Sequence, residues 1–183
     1  MKLRRLLIAN RGEIARRILR TAHRLGIETV AVYSQADAGA PHVREATAAV
    51  PLGGNTAADS YLRIDKLVGA ARQAGADAVL PGYGFLSANA EVAGAVEDAG
   101  PTWVGPPAEA IRTLGNKSRA KQLAQARGVP CLPGYQGADQ TDERLLAAAR
   151  DIGFPLMVKA AAGGGGRGMR LVHEEGQLAG GPR

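Results

Sequence analysis

Two kinds of apolar spacing alternate along the first half of the chain. Compact runs, short enough for buried strands, occupy residues 5–9 (RLLIA), 29–33 (TVAVY), 48–52, 78–80 and 102–104. Between them, apolar residues recur at three- and four-residue steps, the period of one helix face. Residues 13–25 carry Ile14, Ala15, Ile18, Leu19, Ala22 and Leu25 in that spacing, and Gly26 stands where a glycine ends a helix. Further helices are expected over 64–74, with Asp59-Ser60 as start signals and Gly75 as the stop, and over 90–99, stopped by Gly100. Strand, helix and strand with a short return make a right-handed βαβ unit. Its repetition predicts an α/β fold, a parallel sheet with helices on both faces. Ligands on such sheets bind beyond the carboxyl ends of the strands, which here are the segments 10–13, 34–37 and 81–89.

Pro106-Pro107 breaks the alternation and is read as a boundary between a first domain over 1–106 and a second over 107–183. In the second, helices are expected over 108–114, 118–127 and 142–152, the last with Thr141 as N-cap. The most distinctive stretch is LMVKAAAGGGGRGM at 156–169. Leu156, Met157 and Val158 read as a buried strand that ends in Lys159, and Met169-Arg170-Leu171-Val172 as another strand. Between them lie Gly163, Gly164, Gly165, Gly166 and Gly168. Glycine loses more backbone entropy on folding than any other residue. Close approach of backbone N–H groups to an anion is the usual reason to keep a run of them. A flexible linker is the alternative, but strands at both ends of so short a run make it a hairpin loop. The expectation is a glycine flap over nucleotide phosphates, with Lys159 as the charge.

Composition narrows the classes. Of 183 residues, 45% are hydrophobic, which is globular rather than disordered. No run is long enough to span a membrane, and the apolar part of the basic N-terminus is too short for a signal peptide. The single cysteine, Cys131, offers no disulfide framework. It fits a reducing cytoplasm and reads as a small buried hydrophobe. Net charge is +6, yet the arginines spread along helices and aromatics are 4% of residues, which argues against a nucleic-acid stacking platform. With 18 arginines and 5 lysines, a lysine at each of two phosphate-type positions carries weight.

Those positions are Lys117 and Lys159. Lys117 opens a helix, where a cation opposes the macrodipole unless an anion is held there as well; a solvated lysine is the plain alternative. The glycine run is not a P-loop, because its lysine precedes the glycines and a strand follows them. The first turn, Asn10-Arg11-Gly12-Glu13, lacks G-x-G-x-x-G, so the first domain is Rossmann-like without that phosphate site. Arg11 and Glu13 suit a surface turn as well as a site. Tyr83 and Phe85 suit packing as well as ligand contact.

Taken in order, several stretches resemble the N-terminal part of a biotin carboxylase, the ATP-grasp subunit or domain of biotin-dependent acyl-CoA carboxylases. They are Ile8-Ala9-Asn10-Arg11-Gly12-Glu13-Ile14-Ala15, Pro81-Gly82-Tyr83-Gly84-Phe85-Leu86-Ser87, Val104-Gly105-Pro106, Gly115-Asn116-Lys117, Gly128-Val129-Pro130 and Val158-Lys159-Ala160 with the glycine run. The resemblance implies a Rossmann-like N-terminal domain followed by the beginning of an ATP-grasp domain. It implies a ligase that uses ATP to phosphorylate bicarbonate, the released carbon dioxide then carboxylating biotin on a carrier domain. Carried over by position, Lys117 and Lys159 would contact ATP, and Gly163, Gly164, Gly165 and Gly166 would form the flap. Met169 would lie beside adenine. The implied partners are a biotin carboxyl carrier domain and a carboxyltransferase, with no nucleic acid and no membrane.

Some positions depart from the family pattern. Leu80 stands for a usual histidine, and Ala88 interrupts a usual Ser-Glu-Asn. Ala161 and Ala162 shorten the glycine run. Arg24 occupies a position that is often acidic and in some members takes part in dimer contacts, which puts a homodimer of that kind in doubt. The family chain continues well beyond this length, and its continuation carries the Mg2+ ligands, the bicarbonate-binding arginine and the catalytic glutamate. The expectation is a fragment with no catalytic residue of its own, inactive alone. Two alternatives stand beside it: another ATP-grasp ligase of the carbamoyl phosphate synthase kind, and a non-catalytic Rossmann-like module that binds partner subunits.

Overall fold

The computed structural model describes residues 3–159 and 168–178. The chain divides into two compact units, Met1–Arg112 and Thr113–Arg183.

In the first unit, β1 (Arg5–Ile8), β2 (Glu28–Tyr33), β3 (Ala48–Pro51), β4 (Ala78–Leu80) and β5 (Thr102–Trp103) form a parallel sheet in the order β3-β2-β1-β4-β5. β1 is flanked on both sides: Leu6 pairs with Thr29 of β2 and with Ala78 of β4. Strand side chains alternate between faces, so Leu7, Val30, Val32 and Val79 enter one core cluster and Leu6, Ile8 and Ala78 the other. Against the first pack Leu67, Ala70 and Ala71 of α3 (Ile64–Gln73) and Val92, Ala93 and Val96 of α4 (Ala90–Asp98). Against the second pack Ala15, Leu19 and Ala22 of α1 (Gly12–Arg24). The expected α/β architecture is therefore present, with helices on both faces of a parallel sheet. Each fully buried aliphatic side chain stabilises by about 1.5–3 kcal/mol, and Leu7, Ile8, Val30 and Val32 are wholly buried. At the end of α1, Gly26 takes φ 68 and its N–H reaches the His23 carbonyl, while that of Ile27 reaches Ala22, a left-handed helix stop.

Two local features differ from the sequence pattern. Between β2 and β3 the chain forms a 3-10 turn at Gln35–Asp37 and the short helix α2 (Pro41–Glu45), started by proline. Five residues are too few to show a helical period. Asp59-Ser60 does not start α3, whose N-cap is Arg63. It closes its own turn instead: Thr56 Oγ1 donates to Asp59 at 2.6 Å, and Ser60 Oγ donates to the Thr56 carbonyl at 2.5 Å.

α5 (Ala108–Leu114) contains the point where the units divide. The second unit then holds α6 (Lys117–Ala126), α7 (Asp142–Ile152) and an antiparallel hairpin of β6 (Leu156–Lys159) and β7 (Met169–Val172). Asn116 caps α6 by accepting from the Arg119 N–H, and Thr141 caps α7 by accepting from that of Arg144. The expectation that 156–158 is a buried strand is not met. Val172 is buried and Leu156 opposite it half-buried, but Met157 and Val158 are exposed. The sheet has two strands among the described residues, too few to cover both faces of the hairpin. Cys131 is likewise half-exposed rather than buried, its thiol directed at the Val129 carbonyl. The four glycines Gly163 to Gly166 lie outside the described residues.

Candidate functional site

The three segments expected at the carboxyl edge of the parallel sheet are brought together by side chains. Asn10, fully buried, donates from Nδ2 to the carbonyls of Pro81 and Tyr83, each at 2.8 Å. Asp37 Oδ2 accepts from Arg11 Nη1 at 2.8 Å, Tyr61 Oη at 2.6 Å and Ser34 Oγ at 3.2 Å. Tyr61 Oη in turn accepts the Ser34 N–H at 3.0 Å. Burial alone would raise the Asp37 carboxyl, but the bonds from Tyr61, Arg11 and Ser34 outweigh it and hold it below the usual range. Burial, with the bond to Asp37, pushes Tyr61 up to about 12, so Tyr61 is a permanent donor at neutral pH.

The 81–87 loop rests on this cluster. The Phe85 ring stacks on Tyr61 with centroids 5.2 Å apart and planes within 5°. Phe85 holds φ 42 to do so, a left-handed conformation unusual for a bulky residue. Phe85 is thus a packing residue. Tyr83 is half-exposed, its hydroxyl hydrogen-bonded to the Glu13 carboxylate. That bond is the first cause of a raised Tyr83 pKa. Gly82 has φ 68, and a Cβ there would lie 2.7 Å from Ile14 Cγ2, so the loop approaches α1 as closely as a backbone without a side chain allows. Arg11 and Glu13 are both engaged within the unit. Position 80, a leucine, gives its carbonyl to the Ala9 N–H at 2.9 Å.

In the second unit the hairpin places two expected residues side by side. Lys159 pairs with Met169, and Met157 pairs with Leu171. Residues two apart on a strand share a face, so Met157, Leu171, Met169 and Lys159 lie on one face of the hairpin. The three apolar members are 42–49% exposed, far more than large apolar side chains in the first unit's strands. Met157 and Leu171 are not singled out by the sequence pattern; only the cross-strand register makes them neighbours of Lys159 and Met169. Lys117 occupies the first turn of α6 and is exposed. Among the described residues there is no group of three or more His, Cys, Asp or Glu that could hold a metal ion. No described helix is long and apolar enough to cross a membrane.

Comparison with known proteins accounts for both units. Residues 2–111 match the family model of the biotin carboxylase N-terminal domain, and residues 116–181 that of the carbamoyl-phosphate synthase L chain ATP-binding domain. The chain is 54% identical over 168 residues to the mitochondrial methylcrotonoyl-CoA carboxylase subunit alpha of Oryza sativa subsp. japonica, covering 92% of this chain and 23% of that protein. It is 47% identical over 179 residues to biotin carboxylase 1 of Bacillus subtilis, covering 98% of this chain and 40% of that one. Among solved structures, the biotin carboxylase–β,γ-ATP complex from Campylobacter jejuni superposes with a TM-score of 0.92 at 44% identity, over 97% of this chain and 40% of the other. The biotin carboxylase domain dimer of Hydrogenobacter thermophilus 2-oxoglutarate carboxylase, solved with MgADP, ADP and bicarbonate, gives 0.92 at 41% identity, over 97% and 39%. The chain thus spans about a quarter to two-fifths of the length of these relatives. The match over residues 2–111, more than half of the chain, and the shared fold at over 40% identity lead to one conclusion: the chain belongs to the biotin carboxylase family.

Proposed function

We propose that this chain supplies part of the ATP-binding surface of a biotin carboxylase. The observation that carries this reading is the exposed face of the β6–β7 hairpin, with Met157, Leu171 and Met169 leading to Lys159. A purine has flat apolar faces and a charged tail. Thioethers and aliphatic groups suit the ring, and an ammonium suits the phosphates. These residues therefore fit ATP. Lys117, at the N-terminus of a ten-residue helix, adds a second cation where helix N–H groups favour anions. Gly163, Gly164, Gly165 and Gly166 would close over the phosphates. Residues 1–106 would form the Rossmann-like N-terminal domain and 107–183 the opening of an ATP-grasp domain.

Among the described residues no group of three or more His, Cys, Asp or Glu could hold a metal ion, so the Mg2+ that the family uses would take its protein ligands elsewhere. In the full reaction ATP phosphorylates bicarbonate, and carbon dioxide from that intermediate carboxylates biotin on a carrier domain. A carboxyltransferase then passes the carboxyl group to an acyl-CoA. This stretch contributes nucleotide binding to that sequence and no catalytic residue. By itself it would bind ATP without turning it over. The single cysteine supports a cytoplasmic setting. The match of residues 116–181 to a carbamoyl-phosphate synthase model reflects the ATP-binding module alone, since the N-terminal match is to biotin carboxylase.

Calorimetric titration of the purified chain with ATP tests the reading. Saturable binding is expected, weakened at least about tenfold by Lys159→Gln or by Leu171→Asp, with no bicarbonate-dependent release of phosphate. Binding that neither substitution changes, or measurable bicarbonate-dependent hydrolysis, overturns it.

A further inference from the structure

The link between β2 and β3 is tied down by a histidine that the nucleotide reading does not use. From Gln35 to Ala49, His42 of α2 is the one buried residue. Around it Pro41, Arg44 and Glu45 are exposed, and Val43 and Ala46 half-buried. His42 Nε2 lies 3.3 Å from the Val32 carbonyl of β2. A carbonyl only accepts, so Nε2 carries the proton and Nδ1 is a bare lone pair. Nδ1 is buried and has no partner among the described residues. A second proton on this ring would bury both a charge and a donor with nothing to receive it, and each is costly away from water.

The surroundings do not offset that cost. Burial is the largest influence and holds the ring below the ordinary 6.5, although Asp37 and Glu45 favour a charged ring and only Arg11 joins burial against it. Asp37 is engaged by Arg11, Tyr61 and Ser34. Glu45 is engaged by Arg16 of α1 at 2.6 Å, and Arg20 of α1 and Arg44 of α2 also act on it. Elsewhere on α1, His23 meets Thr29 Oγ1 at 3.0 Å and Glu13 meets the Tyr83 hydroxyl. On β2, Glu28 pairs with Arg5 at 2.6 Å, and Tyr33 points to the strand face opposite Val32.

We infer that residues 38–47 form an acid-operated strap, closed on the first unit while His42 is neutral and released, with the sheet intact, when that ring takes a proton. The other ties lie at the strap's ends or at its surface. Asp37 anchors one end, and Thr47 the other through Thr29. The Arg16–Glu45 pair is more than a third exposed on both sides, where ion pairs add little. In the open strap the ring meets water and titrates near the ordinary value, so opening takes up a proton. The closed form keeps its full advantage above about pH 6.5 and loses it as pH falls below that, toward the folded value. Asp37 and Glu45 titrate below the ordinary 3.8 and 4.5, outside this window. The strap belongs to the first unit and is tested without nucleotide, so its failure leaves the ATP reading untouched.

Hydrogen exchange of the 183-residue chain, read by mass spectrometry of peptic fragments and corrected for the intrinsic pH dependence of exchange, tests this. The amides of Ala40, Val43 and Arg44 are bonded within the strap's first turn. Protection over 38–47 should fall at least about threefold from about pH 7.5 to about pH 5.5. Urea below the unfolding transition should speed exchange over 64–73 in α3 and leave 38–47 nearly unchanged, the mark of local opening. His42→Phe keeps an aromatic ring without a titrating nitrogen and should abolish the pH dependence, whereas His23→Gln should keep it. Should His42→Phe fail a circular dichroism melt, the pH and urea responses of the native chain decide the matter. Protection over 38–47 that ignores pH, exchange there that rises with urea as steeply as over 64–73, an undiminished pH dependence in His42→Phe, or its loss in His23→Gln would each overturn the inference.

Discussion

Strands β1 and β6 have nearly the same composition: RLLI in one, LMVK in the other, three apolar residues and a terminal cation each. In β1, Leu7 and Ile8 are wholly buried; in β6, Met157 and Val158 are exposed. The difference lies in the neighbours. β1 has a strand on each side and a packed layer on each face, whereas β6 has one partner strand among the described residues, β7. Apolar content thus reports a demand for cover, and topology decides whether neighbouring elements of the described residues meet it. The same apolar strand in the middle of a sheet would be core.

Truncation in each strand is the most forceful way to break this contrast. Leu7→Ala should destabilise the first unit by about 2–5 kcal/mol, read by urea unfolding through the single tryptophan, Trp103, which lies in that unit's core. Met157→Ala in the hairpin should cost less, about 1 kcal/mol, because the side chain it truncates is already 42% exposed. Equal costs would show that β6 is core after all.

Smaller effects should follow from the loop that rests on the first unit's sheet edge. Gly82→Ala adds a Cβ against Ile14 to a residue at φ 68, at an expected cost of about 1–3 kcal/mol. Gly84 has φ 72 but open space around it, so Gly84→Ala should cost less in the same assay. Tyr61→Phe removes the donor to Asp37 and leaves the buried Ser34 N–H without its acceptor, at about 1–3 kcal/mol. Phe85 should then become more accessible to chymotrypsin while the hairpin's cleavage pattern stays unchanged.

A pH titration gives the mildest separation. His42 is fully buried, accepting no bond at Nδ1, with Nε2 near the Val32 carbonyl at 3.3 Å. Burial lowers its pKa below the ordinary 6.5 despite that carbonyl and the nearby Asp37. The unfolded chain therefore takes up a proton at a higher pH than the folded one. This stabilising contribution is fully present above about pH 6.5 and is lost as pH falls below it, toward the folded value. Asp37 works in the same direction lower down: its contribution is present above the ordinary 3.8 and lost as pH falls through its depressed value. Urea midpoints measured from pH 8 to 5 should fall for the native chain and flatten for His42→Phe.

Much of this was legible in the order of residues. The strand–helix alternation of the first unit, the Thr141 cap and the hairpin around the glycines follow from period and capping chemistry, which act over a few residues. Asp59-Ser60 misled because its side chains form a local turn that uses the same chemistry as a helix cap. α2 was too short to leave a period. The Asp37–Tyr61 bond joins residues 24 apart, and no local rule predicts it. Nor does any local rule place Leu171 beside Met157.

Taken alone, the sequence determined which segments become most of the strands and helices, and that the sheet of the first unit is parallel. Each of these rests on spacing along the chain or on a conformational preference of single residues. Tertiary structure alone decided which apolar strand is core and which is open surface, and that Asp37 gathers Arg11, Ser34 and Tyr61 around one oxygen. These depend on distances between residues far apart in sequence, and such distances are set only when the layers pack.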